Sequence, residues 1–195
     1  MVDKREVLVQ TAMKLFAQGG YTGVGIDRII AEAGIAKMTL YKYFPSKQDL
    51  IMEVLTQRDL FFRTSLMNYV NQQEGLAQKI LALFTWHDQW FKRKDFNGCM
   101  FINAAAEFHD RKNPIHQISA LHKNLIIDYI KSLLIETHGA QAAKLATQIN
   151  ILLDGAIDAA HLTGNPDAAM QAWEVAQYLV CLLYTSPSPR DRQKS

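Results

Sequence analysis

The chain has 195 residues, of which 49% are apolar and 21% charged, with a formal net charge of +2, enough to bury a sizeable core in one domain or in a small domain fused to a larger one. No apolar run approaches a membrane span, the start MVDKREV lacks a signal-peptide hydrophobic region, and Cys99 and Cys181 without Cys-x-x-Cys spacing support neither a disulfide framework nor a zinc module. Residues 1–50 hold 7 Lys+Arg against 5 Asp+Glu, residues 51–180 hold 11 against 13, and residues 181–195 hold 3 against 1, so the basic excess lies at the two ends and a broadly basic surface is excluded.

Asp3-Lys4-Arg5-Glu6 has the form of a capping box, and Val7, Leu8, Ala12, Leu15 and Phe16 give a first helix its apolar face until Gly19-Gly20 ends it. Ile26, Ile29, Ile30 and Ala33 then recur at helical spacing, and Gly34 supplies the tight or left-handed position that ends this short helix. Ile35 plugs the corner to a further helix whose buried seam is Leu40 and Phe44. Its other face carries Lys37, Met38, Thr39, Tyr41, Lys42 and Tyr43, and between Gly34 and Gln48 there are three lysines and no acid. Pro45 stops the helix, and Ser46-Lys47-Gln48-Asp49 has the form of a capping box that opens the next. A helix in the major groove needs short side chains near the groove floor and hydroxyls or cations where its ends pass the phosphates. Singly, each lysine reads as a solvated face and each tyrosine as half-buried core. Glycine turn, short helix, aromatic run, proline stop and capped restart arrive together in the order a helix-turn-helix requires.

From Ser46 a long helix is expected through Leu50, Val54, Leu55, Phe61, Phe62 and Leu66 to about Tyr69, linking the reading element to the rest without a floppy hinge. Helices follow from Gly75 to about Lys92, Gly98 to Asp110, Asn113-Pro114 to about Thr137, Ala140 to Leu162, and onward from Pro166. No segment alternates with the period of a strand, so the expected class is all-α. Leu145, Ile149, Leu152, Leu153, Ala156 and Ala160, then Trp173, Ala176 and Leu179, form an alanine and leucine stripe suited to close helix packing, either between subunits or inside one.

Trp86, Trp90, Phe101, Phe108 and Tyr129, with Asn103 among them, are candidates for lining a small-molecule pocket, although each alone reads as core. Glu107 and His109 offer an acid/base pair to an enzyme reading that has no nucleophile motif or phosphate loop behind it. The six histidines are scattered without metal-ligand spacing, so neither a metal nor a cofactor is expected. Cys99, after a glycine in an apolar stretch, reads as a small core residue, with a redox sensor as the alternative.

Gly20-Tyr21, Ile26-Asp27-Arg28-Ile29-Ile30-Ala31, Ala33-Gly34-Ile35, Thr39-Leu40-Tyr41, Tyr43-Phe44-Pro45-Ser46-Lys47 and Asp49-Leu50 together resemble the N-terminal signature of the TetR/AcrR regulators over about residues 5 to 55. The resemblance implies a three-helix helix-turn-helix DNA-binding domain over residues 1–47 and a helical ligand-binding and dimerisation domain of about six helices over residues 48–180. It implies base-edge contacts from Lys37, Met38 and Lys42, phosphate contacts from Thr39, Tyr41, Tyr43 and Lys47, and a phosphate or base contact from Arg28. It also implies a cytoplasmic, ligand-responsive repressor without enzymatic activity, which binds a palindromic double-stranded operator as a homodimer paired through its last two helices and answers to a small-molecule effector. An activator or a ligand-independent DNA-binding protein is the alternative. One position departs from the family: Gly25 stands where Thr or Ser is frequent, so the hydroxyl that caps the second helix and can meet a phosphate is absent.

The last fifteen residues, CLLYTSPSPRDRQKS, break abruptly from the helical pattern and resemble translated sequencing adapter, Cys181 to Asp191 matching a tagmentation adapter codon by codon. Residues 181–195 are therefore expected to be non-native, the natural chain continuing beyond Val180 with other residues.

Overall fold

A computed structural model describes residues 3–184, with side chains to Val180. The segment read as adapter therefore lies outside the described side chains, and residues 185–195 outside the described residues altogether. Nine α-helices occur among the described residues, and no strand: α1 (Lys4–Gly19), α2 (Ile26–Ala33), α3 (Lys37–Tyr43), α4 (Lys47–Asn71), α5 (Leu76–Phe91), α6 (Met100–Glu107), α7 (Pro114–His138), α8 (Ala142–Thr163) and α9 (Ala168–Tyr184), with a 3-10 turn at Gly139–Gln141. The class is all-α, as the missing period-2 pattern requires. Two compact units divide the chain, Met1–Ser65 with Asn97–Asn124 and Leu66–Phe96 with Leu125–Ser195.

In the first unit the core is built from Leu8, Val9, Ala12, Leu15 and Phe16 of α1, Ile29 of α2, Leu40 of α3 and Leu50, Ile51, Val54 and Leu55 of α4, all buried. Each Val, Leu, Ile or Phe side chain so enclosed contributes roughly 1.5–3 kcal/mol relative to an exposed one. Val9 joins this core where Val7 was expected, Val7 being only half-buried. The helix ends follow from local chemistry. Asp3 caps α1 by accepting from the Arg5 N–H at 2.9 Å, while Glu6 turns instead to Gln10. Gly34, at φ 63°, closes α2 with the Ile35 N–H donating back to the Ile30 carbonyl at 3.1 Å, the paired pattern of a left-handed glycine cap. Ser46 and Asp49 cap α4 reciprocally, the Asp49 N–H donating to Ser46 Oγ at 3.2 Å and the Ser46 N–H to Asp49 Oδ2 at 2.9 Å.

The same unit buries a histidine. His122 of α7 is 3% exposed, lies flat on Phe101 of α6 with ring centroids 3.6 Å apart, and meets the edge of Phe62 of α4. Its Nδ1 is 2.7 Å from Asp59 Oδ1, and Asp59 also holds Arg63 at 2.6 Å. Burial pushes the imidazole down to about 4 despite Asp59, so at neutral pH an uncharged ring donates Nδ1–H to a carboxylate. The short distance is thus a hydrogen bond and not an ion pair.

In the second unit α5, α8 and α9 pack together around Leu83, Phe84, Leu145, Ile149 and Leu153. Phe84 meets Trp173 at a centroid distance of 5.7 Å. Of the alanine and leucine stripe, Leu145, Ile149, Leu153, Ala156, Ala160 and Ala176 are buried within this unit, while Leu152, Trp173 and Leu179 are half-buried. The exposed face of α8 is a different one: Ile151 and Leu162, 64% and 79% exposed, are eleven residues apart and therefore nearly in register. Val175 and Tyr178 are exposed on α9.

Candidate nucleic-acid interface

The short α3 is held by what it buries. Leu40 is fully enclosed and Phe44, just past the helix end, nearly so, which turns Lys37, Met38, Tyr41, Lys42 and Tyr43 outward. Met38 is 81% exposed, Tyr41 40% and Tyr43 39%, and Lys37 and Lys42 are exposed as well. The tyrosines are thus surface residues and not core. Thr39 and Lys47 are half-buried, and Arg28 stands exposed on α2. Seven of the eight predicted DNA-contact residues lie on α3 or within four residues of its end, and Arg28 is on the helix before it.

Neither helix of the pair has a side-chain cap. Gly25 precedes α2 and Ala36 precedes α3, both in extended conformation and both without a side-chain hydrogen bond to the first turn. The first turns therefore leave backbone N–H groups for water or an anion.

Charge on this face is more constrained than the count of lysines suggests. Lys37 Nζ donates to Asp27 Oδ1 at 2.9 Å across the α2–α3 turn, and that contact holds its ammonium above the usual range. Lys47 Nζ donates to the Thr22 carbonyl at 3.3 Å; burial lowers it while Glu107 pulls it back up. Asp27 and Glu107 were not among the residues picked out for DNA binding. Asp27 was legible in principle, ten residues before Lys37 on the adjoining helix, whereas Glu107 lies 85 residues from Thr22 and no local pattern joins them.

The candidate ligand residues are divided between the units. Phe101, Asn103 and Phe108 belong to the first, where Phe101 stacks on His122 and Phe108 meets Tyr21 edge-on at 6.3 Å. Trp86, Trp90 and Tyr129 belong to the second. There Trp86 and Trp90, 5.9 Å apart, join a ring cluster with His87, Phe91 and Phe96, and the Tyr129 hydroxyl donates to Asn71 Oδ1 at 2.9 Å. Neither unit gathers all six. Glu107 is bound to the α1–α2 turn instead of facing His109 as an acid/base partner. Cys99 is buried, and no group of three or more His, Cys, Asp or Glu among the described residues is placed to hold a metal ion. No helix among the described residues is long and apolar enough to cross a membrane.

A short helix offered outward on two supporting helices, with cations, hydroxyls and rings on its free face, defines a helix-turn-helix protein of the DNA-binding class. Residues 8–54 match the family described as bacterial regulatory proteins, tetR family, and residues 77–176 match the tetracyclin repressor-like C-terminal domain. The chain belongs to the TetR family of transcriptional regulators, which are generally DNA-binding repressors. Among its relatives, the HTH-type transcriptional regulator YjdC of Escherichia coli (strain K12) is 24% identical over 79% of this chain and 81% of its own length. The uncharacterized HTH-type transcriptional regulator YuxN of Bacillus subtilis (strain 168) is 42% identical over 80% of this chain, which spans only 53% of that relative. The crystal structure of SCO4454, a TetR-family transcriptional regulator from Streptomyces coelicolor, superposes with a TM-score of 0.87 at 27% identity, covering 93% of this chain and 96% of that one.

Proposed function

We propose that the chain is a ligand-responsive, one-component transcriptional repressor acting in the cytoplasm, and that it binds a palindromic operator as a homodimer. The observation that carries this reading is the outward face of α3, whose exposed Met38, Tyr41, Lys42 and Tyr43 are backed by buried Leu40 and Phe44. Lys37, Met38 and Lys42 meet base edges; Thr39, Tyr41, Tyr43 and Lys47 meet phosphates; Arg28 reaches a phosphate or a base. Two copies are needed because one small basic patch on a chain of net charge +2 grips DNA weakly. The exposed Ile151 and Leu162 of α8 and Val175 and Tyr178 of α9 supply the apolar surface for pairing. A small-molecule effector favours a conformation with lower operator affinity; the candidates to line its site are Trp86, Trp90 and Tyr129 in the second unit and Phe101, Asn103 and Phe108 in the first, each set taken by itself.

Footprinting the DNA upstream of the chain's own gene and its neighbours, with and without candidate small molecules, tests the reading. Wild-type protein protects a two-fold symmetric site, and Lys42→Ala and Tyr43→Ala each weaken protection with helicity and oligomeric state unchanged. Full protection by both variants would sink the assignment of α3.

A further inference from the structure

At the end of α6 the Glu107 carboxylate enters the turn between α1 and α2. Its Oε1 accepts from the Tyr21 N–H at 2.8 Å, and its Oε2 accepts from the Thr22 N–H and the Thr22 hydroxyl at 2.6 Å each. Gly20, at φ +74°, precedes these two amides, and a Cβ placed there would lie 2.9 Å from Oε1. The carboxylate therefore occupies the space that any side chain at Gly20 would need. Burial raises the carboxyl, but the Thr22 hydroxyl and the two amides outweigh it and hold Glu107 below the usual carboxylate range.

Tyr21 fixes the other end of the joint. It is 1% exposed, its hydroxyl donates to the Met100 carbonyl at 2.9 Å, and its ring sits between Phe16 and Phe108. First and last residues of α6 are thus both tied to one turn, and that turn leads directly into α2, which supports α3. Lys47, a phosphate candidate, donates to the carbonyl of the same Thr22.

We propose that Glu107 is a positioning residue for operator binding: by closing on the Tyr21 and Thr22 amides it fixes the α1–α2 turn, and with it the α2–α3 pair, in the setting that fits DNA. The DNA-reading machinery therefore includes α6, outside the first three helices. The inference rests on the operator-binding function proposed above. Simple electrostatics argues the opposite sign, because an acid beside Lys47 repels phosphate and its removal should tighten binding. The sign of the effect separates the two.

The experiment uses full-length protein and the DNA fragment that the wild type protects, at temperatures well below the unfolding transition of every variant. Glu107→Gln keeps the shape but turns an amide donor toward donors; operator affinity is expected to fall about tenfold with an unchanged salt slope. Thr22→Val should lose about threefold, Thr22→Ser should match the wild type, and Glu107→Gln with Thr22→Val should bind no more weakly than Glu107→Gln alone. A residue that serves only stability would lower the melting temperature and leave affinity unmoved. Unchanged or tighter binding by Glu107→Gln overturns the proposal; if that variant does not fold, undiminished affinity in Thr22→Val overturns it equally. Absence of any protected site with wild-type protein defeats the operator-binding reading, and this inference with it, whereas wild-type protection matched by the variants defeats this inference alone.

Discussion

Lys37 Nζ lies 2.9 Å from the Asp27 carboxylate, so the first residue of α3 meets DNA already paired with an acid from α2. Both side chains are more than half exposed, and an ion pair in that setting is weak. Its consequence lies in charge placement, since phosphate or a base edge must compete with Asp27 for the ammonium.

Asp27→Asn releases that ammonium. Operator affinity should rise, non-specific affinity should rise by at least as large a factor, and the plot of log affinity against log salt should steepen by up to about 0.9, the value of one added phosphate contact. Titrations at several salt concentrations read both quantities. An unchanged slope with unchanged affinity shows that Lys37 touches no DNA.

The uncapped starts of α2 and α3 can be repaired. Gly25 has φ −81° and open space where a Cβ would stand, and Ala36 has φ −66° with ψ 143°, so both backbones already suit a capping serine. Gly25→Ser should stabilise by a few tenths of a kcal/mol and Ala36→Ser by about 1 kcal/mol, seen as a higher urea midpoint at constant m-value. Gly25→Ser should in addition tighten operator binding, because its hydroxyl lies where a phosphate is expected. A lower midpoint for Ala36→Ser would contradict the extended capping geometry.

Stability should fall in mild acid because of His122. In the folded chain burial holds the imidazole down to about 4, while in the unfolded chain it takes up its proton near 6.5. Between these values the unfolded state binds more protons, so the contribution is complete above 6.5 and is lost as pH drops toward 4. The shift corresponds to about 3 kcal/mol as an order of magnitude. Urea midpoints at pH 7.5, 6 and 5 (roughly spanning that window) check it, and His122→Asn should lack this part of the slope. Equal slopes in the two proteins would remove His122 as the cause.

Ile151→Glu combined with Tyr178→Glu places charge on the exposed faces of α8 and α9 while leaving their buried alanines and leucines in place. The double variant should sediment as a folded monomer and lose operator affinity by at least about a hundredfold, since two half-sites are no longer joined. A dimer that survives both substitutions puts the pairing surface elsewhere.

Much of this was legible in the chain because it is written in short-range spacing. Leu40 and Phe44 are four residues apart, Gly34 and Ser46-Asp49 mark helix ends by local hydrogen bonds, and the buried seam alone decides which face of α3 is free. What the sequence did not disclose depends on partners far along the chain. Glu107 accepts from Thr22 across 85 residues, and Asp59 meets His122 across 63, distances over which no periodicity operates. Nor could the pattern tell that the alanine and leucine stripe of α8 faces inward, because packing within a chain and packing between chains demand the same small residues. The aromatic candidates are divided between the two units for a related reason. Trp90 and Phe101 are eleven residues apart yet belong to different compact units.

The first unit is interrupted in sequence, residues 66–96 being spent elsewhere before Asn97–Asn124 returns to complete it. On a ribosome the three N-terminal helices emerge early, but Met100 and Glu107 leave the tunnel only after another fifty or so residues have been synthesised. Until then the Tyr21 and Thr22 amides lack the Glu107 carboxylate that accepts from them in the complete fold. A chain truncated before residue 107 lacks the carboxylate that accepts from the Tyr21 and Thr22 amides.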